Sequence, residues 1–192
     1  MEAGLIVLEP LIVTVLAVMF LAVLFGGGAA FRRRQIDMDG DPPIGRTVFY
    51  ASKYAIVVVW ATMIARSWGL PLAPVDVPPA SRWAGLALWV AGFGVLFAGR
   101  FTLGRSFRLG SPKEPTDLKV AGLYRVSRNP MYLGMYATLA ASVLYTLNPL
   151  VLAVAGFVAV AHHLIVLGEE RYLASAFGSR YAEYRRRVRR YL

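Results

Sequence analysis

Cysteine is absent from the chain, so no disulfide framework, thiolate nucleophile or cysteine-ligated metal is available. Acid is scarce: 11 Asp and Glu stand against 21 Lys and Arg, a net charge of +10, and there are only two His. Charged residues of both signs together make up 17% of the chain, against 57% hydrophobic residues and a mean hydropathy of +0.54. That balance excludes an ordinary soluble domain and points to an integral membrane protein. The basic excess does not read as a nucleic-acid surface, because it lies in loops beside apolar runs rather than along one soluble face. It reads as topology and as contact with anionic membrane lipids. A signal peptide is not expected either: Glu2 and Glu9 precede the first apolar run where a basic segment would stand, and the run is long enough to span. No internal repeat is visible, and the 192 residues fit a single membrane domain.

What is present is a series of long apolar runs. A helix needs about 20 apolar residues to cross the hydrocarbon. Leu11–Ala30, Phe49–Trp68 and Trp83–Leu103 meet that length. Met131–Tyr145 and Leu150–Leu167 are shorter and are separated by Asn148-Pro149, a step that ends one helix and starts the next. The expected fold is therefore an all-α polytopic membrane protein of about five spans. Residues 1–103 supply three, and 104–192 supply a helix-turn-helix hairpin and a C-terminal helix. Arginines and lysines crowd 31–48, 104–130 and the tail after Leu167, whereas the 69–82 loop and the 146–149 turn carry few charges or none. Five spans place all three basic segments on one side, with the N-terminus outside and the C-terminus in the cytoplasm. The stretch Ile36–Gly45 holds three Asp but lacks the other ligands of a calcium loop. It is expected to be a solvated turn, and no metal site is expected.

Both flanks of the hairpin are rich in polar and aromatic groups. One reads G-L-Y-R-V-S-R-N-P-M-Y-L-G (122–134), the other G-E-E-R-Y-L-A-S-A-F-G-S-R-Y-A-E-Y-R (168–185). A hairpin brings these flanks together at one membrane face. Singly, each residue has an ordinary explanation. Glu169 and Glu170 can be interfacial charges, and Arg128 can snorkel. Asn129 can cap a helix that starts at Pro130, and Tyr124, Tyr132 and Tyr136 can form an aromatic belt. Jointly they suit transfer of a methyl group from a sulfonium. A carboxylate such as Glu169 can accept from an ammonium or a ribose. A helix N-terminus suits a carboxylate, and tyrosine faces hold a sulfonium by cation–π attraction. Phe177, Tyr181 and Tyr184, at i, i+4 and i+7, are expected to pack the tail helix rather than to do chemistry.

These flanks resemble those of the isoprenylcysteine carboxyl methyltransferase and phospholipid methyltransferase superfamily of integral membrane enzymes, over roughly Gly104 to Arg190. The resemblance implies S-adenosylmethionine as cofactor. It implies a site built from Thr116, Asp117, Leu118 and Lys119, from Tyr124, from Asn129, Pro130, Met131 and Tyr132, and from Glu169 and Glu170. Arg128, Asn129 and Glu169 are implied as the catalytic group. The implied acceptor is a lipophilic small molecule or lipid that reaches a tunnel from the bilayer. Two departures stand out. The family's His in R-H-P is Asn129 here, which cannot titrate near pH 7. Prenylcysteine members also carry an Arg four residues before the cofactor-binding Glu, where this chain has Ile165. His162 and Ile165 are therefore the acceptor-side candidates. Three other readings stay open: a phospholipid or amine N-methyltransferase, an NADPH-dependent sterol-reductase-like enzyme, and a non-catalytic membrane scaffold.

Overall fold

The computed structural model describes residues 2–32, 41–104 and 117–192. Five α-helices and one short 3-10 turn make up the ordered elements: α1 (Glu2–Arg32), α2 (Arg46–Ser67), α3 (Pro79–Leu103), the turn Gly122–Arg125, α4 (Pro130–Thr146) and α5 (Pro149–Arg187). No strand forms among the described residues, and an isolated bridge joins Ser127 to Arg189. A helix satisfies its own backbone groups, which hydrocarbon demands. Four helices are long and apolar enough to cross a bilayer: α1 through Leu8–Phe25, α2, α3 and α5. The expected fifth span, α4, has 17 residues and measures about 26 Å, less than the roughly 30 Å of hydrocarbon. It is the central helix, with Gly134, Thr138, Ala141, Ser142 and Thr146 all buried. Its length is set by protein neighbours more than by lipid.

Glycine sets the closest of those contacts. A methyl group added at Gly92 would lie 2.8 Å from the Gly134 carbonyl oxygen, and one added at Gly134 would lie 2.7 Å from that of Gly92. The backbones of α3 and α4 therefore touch, which is how helices gain packing energy in lipid, where no hydrophobic drive separates protein from solvent. Gly85 against Ala141 continues the seam in antiparallel register. An aromatic cluster fills the space beyond it. Trp60 and Trp89 meet edge to face at 6.1 Å, and Phe93 lies 4.8–4.9 Å from both. The buried indoles donate to Thr138 Oγ1 and to the Val13 carbonyl, so neither N–H is orphaned.

The two ends of the bundle differ. At one end Arg82 and Tyr145 both donate to Glu9, and the Asn148 side chain donates to the Leu72 carbonyl. These contacts join α1, α3, α4 and the loop between α2 and α3. Asn148 is also the N-cap of α5, its Oδ1 accepting from the Leu150 and Val151 N–H groups. At the other end α5 runs on past its apolar part to Gly178, whose φ of 51° and ψ of −122° break the helix. That backbone conformation suits only glycine. The chain turns there, forms a last helical segment to Arg187, and returns its final residues to the start of α4.

Candidate functional site

A cavity of about 590 Å³ opens between α1, α2, α4 and α5 at the end opposite Glu9. Asp117, Leu118 and Lys119 line it, as do Tyr124, Arg128, Asn129, Met131, Tyr132, His162, Ile165 and Glu169. The hairpin thus brings the two polar flanks together. Pro130 is buried but does not face the cavity, nor does Glu170. Thr116 lies outside the described residues.

The adjacent carboxylates have different surroundings. Glu169 faces the cavity and, among the described residues, accepts from the Tyr132 hydroxyl at 3.0 Å. Glu170 turns away and is buried between two guanidinium groups. Arg128 Nη2 donates to its Oε1 at 2.9 Å, and Arg190 Nη2 donates to its Oε2 at 2.9 Å. Charge-assisted bonds to both oxygens leave it little capacity for a ligand. Those bonds hold the Arg190 guanidinium above its ordinary pKa.

Asn129 occupies the N-cap position of α4 but makes no side-chain cap. Its Nδ2 donates instead to Glu170 Oε1 at 3.4 Å and to the Arg190 carbonyl at 3.2 Å. The returning tail is bound by backbone as well: the Arg128 N–H donates to the Arg189 carbonyl at 2.9 Å, and Arg128 Nη1 donates to the Val188 carbonyl at 2.6 Å. Tyr191 completes the contact between Tyr136 and His163 Nδ1. The first-turn N–H groups of α4 are thereby left without a side-chain cap, beside the cavity.

None of the three tyrosines of the first flank stands in a lipid-facing belt. Tyr132 meets Glu169, Tyr136 meets Tyr191, and Tyr124 is buried. Burial, followed by the Glu169 charge, pushes the Tyr124 phenol well above its ordinary pKa. The Tyr124 carbonyl accepts from the Tyr184 hydroxyl at 2.6 Å. Tyr181 and Tyr184 are buried and line the cavity as well as packing the tail. The buried Tyr181 hydroxyl has no hydrogen-bond partner among the described residues.

Sequence reasoning missed the other half of the cavity. Phe20, Leu24, Phe49, Ile56 and Trp60 form an apolar compartment continuous with the polar one. Phe25, Tyr54 and Val57 line the cavity yet are 61%, 72% and 43% exposed, so the wall between α1 and α2 faces outward there. Lys53 lies in the same wall, its ammonium 3.8 Å from the centre of the Phe49 ring. A signal for it existed: Lys53 is a cation one turn inside an apolar run, with Tyr50 and Tyr54 close by in the sequence, and ionisable residues within spans mark function by default. Arg190 had no such signal among the arginines of the tail.

The family model for phospholipid methyltransferases matches residues 80–180, just over half of the chain. No curated protein matches it.

Proposed function

The chain belongs to the phospholipid methyltransferase family, a membrane methyltransferase family, and from that premise we propose that it uses S-adenosylmethionine to methylate a lipophilic or lipid acceptor. One observation carries the reading: a single cavity joins a polar, carboxylate- and tyrosine-lined compartment to an apolar one. Its volume of about 590 Å³ falls within the roughly 300–1,000 Å³ of small-molecule sites.

The residues present fit the cofactor. Glu169 can accept from its ammonium or ribose, and Asp117 lies on the same lining. The uncapped N-terminus of α4, with Arg128 beside it, suits its carboxylate. The faces of Tyr124, Tyr132 and Tyr184 suit the sulfonium and the adenine. The Tyr181 hydroxyl offers a further polar contact. When bound, the cofactor would supply an electrophilic methyl on a positively charged sulfur. The chain would orient the two partners in line and exclude water, and positioning of that kind supplies much of the acceleration in such displacements. Glu170 and Arg190 act behind the wall, and together with Arg128 and Asn129 of the lining they hold the α4 start and the tail together. The acceptor reaches the apolar compartment between α1 and α2, where Phe25, Tyr54 and Val57 face outward. The basic loops and tail support a cytoplasmic position for this end.

Calorimetric titration of the detergent-purified protein with S-adenosylhomocysteine tests the reading. Binding is expected, weakened about tenfold or more in Glu169→Ala, the loss of a charged hydrogen-bond partner. Equal affinity in both proteins would remove Glu169 from the site. Binding of NADPH in place of the homocysteine derivative would move the chain to reductase chemistry.

A further inference from the structure

Two groups in the cavity lie beyond the donor-binding set, and together they select the acceptor. His162 is buried in α5, seven residues and so about 10 Å along the helix from Glu169. Its Nδ1 lies 3.0 Å from the Val158 carbonyl oxygen. A carbonyl only accepts, so that nitrogen carries the proton and the neutral ring keeps a lone pair on Nε2. Nε2 has no hydrogen-bond partner among the described residues, and the ring lines the cavity. Lys53 lies in the α2 wall of the same cavity. Aromatic rings surround this compartment: Phe20, Phe25, Phe49, Tyr50, Tyr54 and Trp60.

Each acceptor class meets these groups differently. A carboxylate would suit Lys53 but would face the lone pair of His162. An ammonium would suit His162 but would face Lys53. A neutral hydroxyl satisfies both, donating to Nε2 while Lys53 stabilises the negative charge that grows on its oxygen. A phenol, like tyrosine, ionises near pH 10 and gives up its proton to an imidazole far more readily than an aliphatic alcohol does. The aromatic lining suits a ring as well.

We propose that His162 and Lys53 form an acceptor site for a lipophilic phenol, with His162 Nε2 as general base for its O-methylation. This narrows the methyltransferase reading and rests on it for the reaction, though not for the binding site. In the step the acceptor oxygen bonds to the methyl carbon as the carbon–sulfur bond of the donor breaks. The electron pair of that bond stays on sulfur, which becomes a neutral thioether. The phenol proton passes to Nε2 and then to water.

A nitrated alkylphenol absorbs where tryptophan emits, so its binding beside Trp60 is read as quenching without any cofactor. Fatty acid and fatty amine of equal chain length serve as competitors. The phenol is expected to bind about tenfold tighter than either competitor, and to weaken about tenfold in both His162→Phe and Lys53→Met. S-adenosylhomocysteine affinity, measured on the same samples, should survive His162→Phe. In single-turnover assays with the phenol, His162→Gln should lose the methylation that wild type shows. Tightest binding by the fatty acid, dependent on Lys53 and indifferent to His162, would overturn the proposal in favour of a carboxylate site. Tightest binding by the amine would overturn it also. Loss of homocysteine-derivative binding in Lys53→Met with unchanged phenol binding would make Lys53 part of the donor site and end the pairing. Donor binding without phenol binding defeats this proposal alone, whereas phenol binding without donor binding defeats the methyltransferase reading alone.

Discussion

Two Asn-Pro steps start the two helices of the hairpin, and they are put to opposite uses. At Asn148-Pro149 the side chain caps its own helix and ties it to the loop between α2 and α3. At Asn129-Pro130 the side chain makes no cap and reaches across to Glu170 and Arg190. The same dipeptide thus closes one helix end and leaves the other open. The difference comes from what surrounds each step. The Asn148 turn meets few charges, so local hydrogen bonds win. The Asn129 step meets a buried carboxylate and a returning tail, and tertiary partners take the amide. An open helix N-terminus beside a cavity attracts anions, and a closed one does not.

The largest break in this comparison is expected from Glu170→Ala. It leaves Arg128, whose side chain is 9% exposed, without its counter-charge, and losing one member of a buried ion pair costs about 3–5 kcal/mol. Thermal unfolding in detergent should show that loss, and protease should cleave the freed tail. An unchanged midpoint would mean that the tail holds α4 by backbone bonds alone. Gly178→Ala comes next. A side chain in that backbone region costs about 1–3 kcal/mol, and the change should free the last residues and weaken donor binding together. Donor affinity that holds while the tail is cleaved would separate the tail from the site.

The two asparagines give smaller effects that sharpen the contrast. Asn148→Ala should cost about 1 kcal/mol, the worth of an N-cap, with donor affinity unaltered. Asn129→Ala should cost a few tenths of a kcal/mol, since its bonds are long and Glu170 keeps both arginines. Donor affinity should nonetheless fall, because the α4 start loses its register with the tail. If the stability losses of these two substitutions were reversed, the assignment of closed and open ends would be wrong.

The adjacent carboxylates repeat the lesson within one helix. Glu169 and Glu170 are indistinguishable in the sequence, and both were expected to contact the cofactor. A helix turns about 100° per residue, so one faces the cavity and the other faces the tail. The α3–α4 seam leaves a mark in the sequence: Gly85, Gly92 and Gly99 recur at seven-residue spacing in the third apolar run. The cavity's apolar half was not legible at all. Its lining comes from α1 and α2, distant in sequence from the hairpin, and an apolar side chain facing a cavity reads the same as one facing lipid.

By itself the sequence determined a helical membrane protein, the hairpin with its Asn-Pro turn and the meeting of its two polar flanks. Hydropathy, proline and charge act locally and do not depend on how helices pack. Only the tertiary structure decided which glutamate faces the cavity, that Asn129 gives up its cap, and that Lys53 and His162 line the same cavity. Those outcomes depend on helix rotation and on partners more than 40 residues away in the chain, such as the 42 residues between Arg128 and Glu170. No local pattern encodes contacts at that range.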